Sequence, residues 1–341
     1  MLKIGLLALA LSVAQAQPVQ PPPQLTVAAS GDFLIHTPVA ARALALGGGS
    51  RYDFAPLFDP VKRHIAGADL ALCHVETPLV PGPVVGYPSF RTPPGLARSI
   101  KKVGWDACST ASNHTLDAGQ YGVGTTLRAL DRAGIPHSGS ARSAAESRRI
   151  PQLDVQGIKV AFLAYTSISN GQAVPHPWSV SWESPERILR DARRARGQGA
   201  DLVIVNLHWG AEYVHGVTSE QTALADRLTR SPAIDAIVGQ HAHVVQPIRR
   251  VNGKPVVYGE GNLVSNQTAA CCPAASQFGL IALIDFTLPP GERPRARRIR
   301  YVPTWVRHPD FSVRPAEPGS AAWSSTVGVA GRRAGIKPLR P

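Results

Sequence analysis

Aromatic side chains are scarce (6%), methionine occurs once, and cysteine appears only four times in 341 residues. No two cysteines stand in a Cys-x-x-Cys pair, which removes zinc-finger and thioredoxin-type readings. Acidic residues are the sparser charge, 23 against 36 Lys and Arg, for a net charge of +13. Glycine and proline, 31 each, follow no collagen-like period, and no repeat of fixed length is visible. The sequence has no GxxxxGK[ST] loop, which argues against an ATP-driven ligase of the P-loop kind. It also lacks GxSxG and HExxH, which argues against a serine hydrolase with a nucleophile elbow and against a zincin. No segment reaches the roughly 18 uninterrupted apolar residues of a membrane-spanning helix.

What is there describes an exported globular chain. Hydrophobic residues make up 44%, enough for a core of ordinary size. Met1-Leu2-Lys3 gives a positive start, Ile4 to Ala14 a short apolar run, and Ala14-Gln15-Ala16 a small-x-small cleavage pattern. Residues 1–16 therefore read as a secretory signal, 17–24 as a proline-rich linker, and the protein as periplasmic or extracellular. Export permits disulfides: Cys271 and Cys272 are vicinal, so a bridge elsewhere or free thiols are favoured there, and Cys73 and Cys108 read as buried strand residues.

From Leu25 onward, short β-rich apolar runs alternate with helical stretches, the pattern of an α/β fold. Residues 25–30, 69–75, 105–111, 158–165, 201–207 and 234–238 read as strands. Helices are expected over 54–66, 94–103, 119–133, 184–196 and 219–229, with Ser184 and Ser219 as N-caps. Runs at 256–258, 280–288 and 299–302 look like a second sheet or a meander. After Leu288 the composition turns to Pro, Arg and Gly, which predicts one domain over 25–288 and a loose extension over 289–341.

The polar residues suited to chemistry follow the strand ends. Asp32, Glu76, Asn113 with His114, His208, and His241 with His243 each stand just beyond one run. In a parallel sheet these ends share one edge, where ligands bind. Each residue alone has an ordinary reading as a turn, cap or core residue, but five segments delivering carboxylates, a carboxamide and histidines to one edge point to metal. His241 and His243, two apart, would point the same way on an extended segment. Oxygen and imidazole ligands without thiolate suit Mn, Fe or Zn, and their number suits two divalent ions. Two ions roughly 3.5–4 Å apart are the usual device of metal-assisted phosphoester hydrolysis.

Several runs together resemble the CapA or PgsA capsule-synthesis family, itself related to calcineurin-like metallophosphatases. They are Gly31-Asp32, residues 71–79 (ALCHVETPL), 90–94 (FRTPP), 112–119 (SNHTLDAG), 207–213 (LHWGAEY), 239–247 (GQHAHVVQP) and 258–262 (YGEGN). The resemblance implies a metallophosphatase-like four-layer α/β/β/α sandwich. It also implies that Asp32, Glu76, Asn113, His208, His241 and His243 surround the metals, with Glu76 as the bridging carboxylate. His114 would be the catalytic histidine, protonating a leaving oxygen or holding developing charge. His36, Asp117, Glu212 and Asn262 are further candidates, as ligands or as groups orienting the ligands. The sequence departs from the phosphatases in having Glu where they have a bridging Asp.

The expectation is an exported dinuclear-metal hydrolase, phosphoesterase-like, acting on an anionic substrate or polymer. Its alternatives are a non-catalytic envelope factor that binds or helps export an anionic polymer such as poly-γ-glutamate, and a metal-dependent amidase acting on glutamyl peptides. Scattered Arg pairs such as Arg148-Arg149 and Arg297-Arg298 give a basic surface suited to a polyanion, a membrane surface or the capsule-synthesis machinery. Export leaves no role for nucleic acid.

Overall fold

The computed structural model describes residues 22–289 and 291–341. The signal segment and most of the linker fall outside the described residues. In chain order the strands are β1 (Gln24–Phe33), β2 (Leu70–Val75), β3 (Ala107–Ser109), β4 (His137–Ser138) and β5 (Gln152–Val155). Then come β6 (Ile158–Thr166), β7 (Leu202–His208), β8 (Ala236–Gln240), β9 (Ile248–Val251) and β10 (Lys254–Val257). The last are β11 (Asn262–Val264), β12 (Phe278–Thr287), β13 (Arg295–Arg307), β14 (Ser312–Pro315) and β15 (Ile336–Pro338). The helices are α1 (Thr37–Leu46), α2 (Ala55–Phe58), α3 (Lys62–Ala66) and α4 (Gly95–Val103). They continue with α5 (Gly119–Arg132), α6 (Pro185–Gly197), α7 (Ser219–Arg230) and α8 (Ala321–Ala330).

Two sheets result. The first runs β14-β13-β12-β1-β2-β3-β4, with β11 beside β1 and β15 beside β13; the second runs β5-β6-β7-β8-β10-β9. Strands β1 to β4 are mutually parallel, as are β6, β7, β8 and β10, so their carboxyl ends gather at one edge of each sheet. Strand alternation then builds the layers. Val27, Ala29, Leu70 and Leu72 face Val160, Phe162, Leu202, Ile204 and Val238 in a core between the sheets. Ala28, Ala71, Cys73 and Val75 face the other way, against Val39, Leu57, Ile65 and Ile100 of the first helical layer. Val203, Val205 and Ile237 pack on Ile188, Ala192, Leu224 and Leu228 of α6 and α7. The architecture is the four-layer α/β/β/α sandwich.

Several expectations need correction. The helix over 54–66 is interrupted by a 3₁₀ turn at Asp59–Val61, where Pro60 removes a backbone donor. Helix α7 is capped by Thr218, whose hydroxyl and the Gln221 side chain form a reciprocal capping box, and not by Ser219. The runs at 256–302 do not make a sheet of their own, because β10 joins the second sheet while β12 and β13 join the first. The expected loose extension is folded: β13 pairs along β12 and buries Ile299, Tyr301 and Val302, and α8 and β15 follow. Its composition misled because β13 alternates Arg on the open side with apolar residues on the buried side. Cys73 and Cys108 lie side by side on β2 and β3 and are joined as a disulfide, whereas Cys271 and Cys272 are free. Among the described residues, no helix is long and apolar enough to cross a membrane.

Candidate metal centre

The site forms where the carboxyl ends of both sheets meet. On β2 the inward positions are Leu70, Leu72 and then His74; on β7 they are Leu202, Ile204, Asn206 and then His208. The polar residues thus occupy the last inward positions of strands that are otherwise apolar on that face. Asp32 arrives there by a different device. The β1–β2 register slips between Ala29↔Leu72 and Asp32↔His74, three steps on one strand against two on the other, so a bulge re-aims Asp32 toward His74. Gly31 permits it: a Cβ there would lie 1.9 Å from the Gly261 carbonyl oxygen.

Five side chains converge at two overlapping points. Asp32, His74 and His208 can present ligand atoms within 4.8 Å of one another, and so can Asp32, Glu76 and His243. Asp32, and not Glu76, is the residue common to both groups. His243 Nδ1 lies 3.2 Å from Asp32 Oδ2, and its Nε2 lies 3.6 Å from Glu76 Oε1. Asn113 joins through its Oδ1, 2.8 Å from His208 Nε2. The His241 ring lies 4.6 Å from that of His208, and its Nδ1 is buried without a partner. The two histidines of the His-Ala-His run do not ride an extended segment as expected. Both sit in left-handed backbone, φ 92° and 55°, in a bend after β8, a conformation that costs a non-glycine residue about 1–3 kcal/mol.

Remaining candidates surround this cluster. Asp117 accepts a hydrogen bond from His114 Nδ1 at 2.8 Å and is itself held by the Phe90 amide and Gln172, both at 2.6 Å. With Nδ1 engaged, Nε2 is the atom His114 can offer a substrate. Asn262 Oδ1 accepts from His243 Nδ1 at 3.0 Å, so Asn262 orients a histidine and is not itself in either group. His36 and Glu212 are also outside both groups; they line a cleft of about 520 Å³ together with Phe90, His114, Tyr213 and His243. His36 Nδ1 accepts the Asn266 amide at 3.2 Å.

Sequence reasoning missed His74, whose Nδ1 accepts from the Ser109 hydroxyl at 2.5 Å and whose Nε2 lies 3.1 Å from His208 Nδ1. The missing signal was parity: His74 stands two residues after the inward Leu72 and two before Glu76. It also missed the loop after β6, where Asn170 accepts from Asn113 at 3.1 Å. No pattern in that loop announces it.

The electrostatics ask for cations. All four carboxylate oxygens of Asp32 and Glu76 are buried and have no hydrogen-bond partner. Burial drives the Glu76 carboxyl well above its ordinary value, His243 opposes, and the Asp32 charge adds to the rise. Burial would lower His243, but the Glu76 and Asp32 carboxylates hold it up at about 9. Burial lowers His74 to about 4 and His241 to about 3, and pushes His208 well down, leaving neutral imidazoles. Neutral imidazoles at His74, His208 and His241, beside two buried carboxylates that only His243 partly compensates, are the donor set of a divalent metal, whose charge would displace the His243 proton, so the residues fit one.

The family described as bacterial capsule synthesis protein PGA_cap matches residues 26–267, about seven-tenths of the chain. The chain belongs to this family. Among curated relatives, the capsule biosynthesis protein CapA of Bacillus anthracis is 31% identical over 176 residues, covering 50% of this chain and 42% of that protein. The PGA biosynthesis protein CapA of Bacillus subtilis strain 168 is 30% identical over 171 residues, 49% of this chain and 44% of its own length. The matched part thus spans less than half of either relative. Among solved structures, the calcineurin-like phosphoesterase YfkN of B. subtilis aligns over 90% of this chain and 96% of its own, at 15% identity and a TM-score of 0.49. A phosphatase of Mycoplasma pneumoniae aligns over 83% and 94%, at 12% identity and a TM-score of 0.48. Every segment that carries a candidate ligand lies inside the family match.

Proposed function

We propose that this family member is an exported, dinuclear-metal-dependent hydrolase, phosphoesterase-like, acting on an anionic substrate of capsule or envelope polymer synthesis. One observation carries the reading: two buried carboxylates with no donor to any oxygen, ringed by histidines, open to a cleft whose wall holds a braced histidine. Asp32, Glu76, His74, His208 and His243 would hold Mn, Fe or Zn, with Asn113 and His241 completing the set. Bound divalent ions would supply positive charge for an anionic substrate oxygen and lower the pKa of water. The chain's own residues do the rest. His114, with Nδ1 donating to Asp117, presents Nε2 to the cleft, and a proton carried there in the imidazolium form can be given to a departing oxygen or donated to developing charge. The Phe90 ring, edge-on at 4.7 Å, shields that imidazole from water. The disulfide between Cys73 and Cys108 supports an oxidising location, consistent with export.

The test is turnover of para-nitrophenyl phosphate by the purified protein across a Mn²⁺ titration, then with chelator, with Glu76→Ala and His114→Ala beside it. Metal-dependent turnover lost in Glu76→Ala, and reduced about 100-fold or more in His114→Ala with metal still bound, is the expected result. No turnover in any metal, with salt-sensitive retention of poly-γ-glutamate instead, would replace the hydrolase by the polymer-binding role.

A further inference from the structure

The turn after β11 carries two features that the metal reading does not use. The Thr268 carbonyl accepts the Cys271 and Cys272 amides, at 3.0 and 2.9 Å, and the Cys271 thiol at 3.5 Å, so one tight turn holds the two adjacent cysteines. Cys271 is exposed, Cys272 is half-buried, and both line the metal cleft. Cys272 is also the first member of a chain of contacts leading inward. The Tyr213 hydroxyl donates to Cys272 Sγ at 3.9 Å and accepts from Gln267 Nε2 at 3.0 Å. Gln267 Oε1 accepts from Asn262 Nδ2 at 2.8 Å, and Asn262 Oδ1 accepts from His243 Nδ1 at 3.0 Å. Tyr213 holds its place in left-handed backbone, φ 63°.

We infer that Cys271 and Cys272 form a reversible thiol-modification site at the cleft mouth, taking low-molecular-weight disulfides such as oxidised glutathione, and that the state of the pair is transmitted to His243. The second half rests on the metal-centre reading above. The same chain carries an oxidised pair at Cys73 and Cys108, so an exposed vicinal dithiol in it will meet disulfides. The exposed Cys271 thiolate attacks one sulfur of the external disulfide and expels one thiolate, giving a mixed disulfide. Cys272 then loses its proton, attacks the Cys271 sulfur and expels the second thiolate. Two protein thiols are oxidised, one external disulfide is reduced to two thiols, and the two protons end on the leaving thiolates. Burial keeps the Cys272 thiol up at about 11, so little of it is thiolate and the first attack falls to the exposed Cys271; Cys272 takes the second step through its adjacency to the mixed disulfide. An eight-membered ring between neighbours is strained, and strain makes the bridge easy to reduce again. Bridging draws the Cys272 sulfur away from Tyr213, and the line through Gln267 and Asn262 loses its outer anchor.

The experiment treats the native full chain with oxidised glutathione and reads intact mass, then measures Mn²⁺ affinity by calorimetry before and after. The expected product is lighter by two hydrogens, about 2 Da, carries no adduct, is restored by dithiothreitol, and binds Mn²⁺ about tenfold more weakly, the effect of disturbing an outer partner of a metal-bound histidine. Cys272→Ser should stop at a stable glutathione adduct on Cys271. Gln267→Ala should form the bridge yet show equal Mn²⁺ affinity in both states. Wild-type protein that keeps the adduct, or does not react, overturns the modification site. A bridged wild type with unchanged Mn²⁺ affinity overturns the link to His243. Absence of Mn²⁺ binding in the reduced protein would count against the metal centre itself, and the mass result would then decide the thiol site alone.

Discussion

At the scale of single residues, the sharing of Asp32 has a measurable consequence. It belongs to both ligand groups, whereas His74 and His208 serve one and Glu76 and His243 the other. If each group holds an ion, Asp32→Asn should lose all bound metal, while His208→Ala and Glu76→Ala should each retain about one ion of two, as read by elemental analysis of dialysed protein. Equal loss in all three variants would mean a single site. The residues themselves were largely legible from the sequence, because a polar side chain just past an apolar strand is conspicuous. His74 was not, because it lies within the strand and reads as core. The resemblance placed the bridge at Glu76 through chain order, but only the β1 bulge, invisible in composition, turns Asp32 to face both groups.

At the scale of elements, that bulge depends on a glycine. A Cβ at residue 31 would strike backbone, and the Gly261 carbonyl it meets accepts the Asp32 amide at 3.0 Å. Gly31→Ala should therefore cost about 1–3 kcal/mol in denaturant unfolding and weaken metal binding, although residue 31 ligates nothing. A second element-level device is an Arg clamp. Arg142 joins Asp131 at the end of α5 to Glu146 of the following 3₁₀ turn. Burial alone would raise both carboxyls, but Arg142 holds Asp131 below 3.8 and Glu146 below 4.5. Depressed carboxyls contribute stability above their unfolded values and lose it as pH falls through the folded ones. Arg142→Ala should thus cost about 1 kcal/mol near neutral pH, a figure already reduced for solvent screening, and the gap should close as the pH is lowered through the depressed carboxyl range. An unchanged gap on acidification would show that Arg142 acts by packing. Strand and helix positions from β1 to β8 were readable from periodicity, whereas the capping box, the 3₁₀ break and the arginine-bearing β13 depend on tertiary partners.

At the scale of the whole molecule, chain order and sheet order disagree. The second sheet is built from one continuous stretch, Gln152 to Val257. The first holds β1 between β2 and β12, with Gln24 opposite Thr287, so its centre closes only through contacts between the two ends of the chain. Long-range closure is entropically slow. Pulse-labelled hydrogen exchange during refolding should find the amides of β6, β7 and β8 protected before those of β1, and simultaneous protection would argue for one nucleus spanning both sheets.

This chronology bears on the bulged segment around Asp32. Its amide is tied to Gly261, and its neighbours align with β12, so the carboxylate cannot settle into place until the last third of the polypeptide is available. His208, His241 and His243 stand on a platform that is finished earlier. A nascent chain halted shortly after residue 257 would display its imidazoles without the acid that unites them, so mature metal occupancy would record that the C-terminal strands had docked.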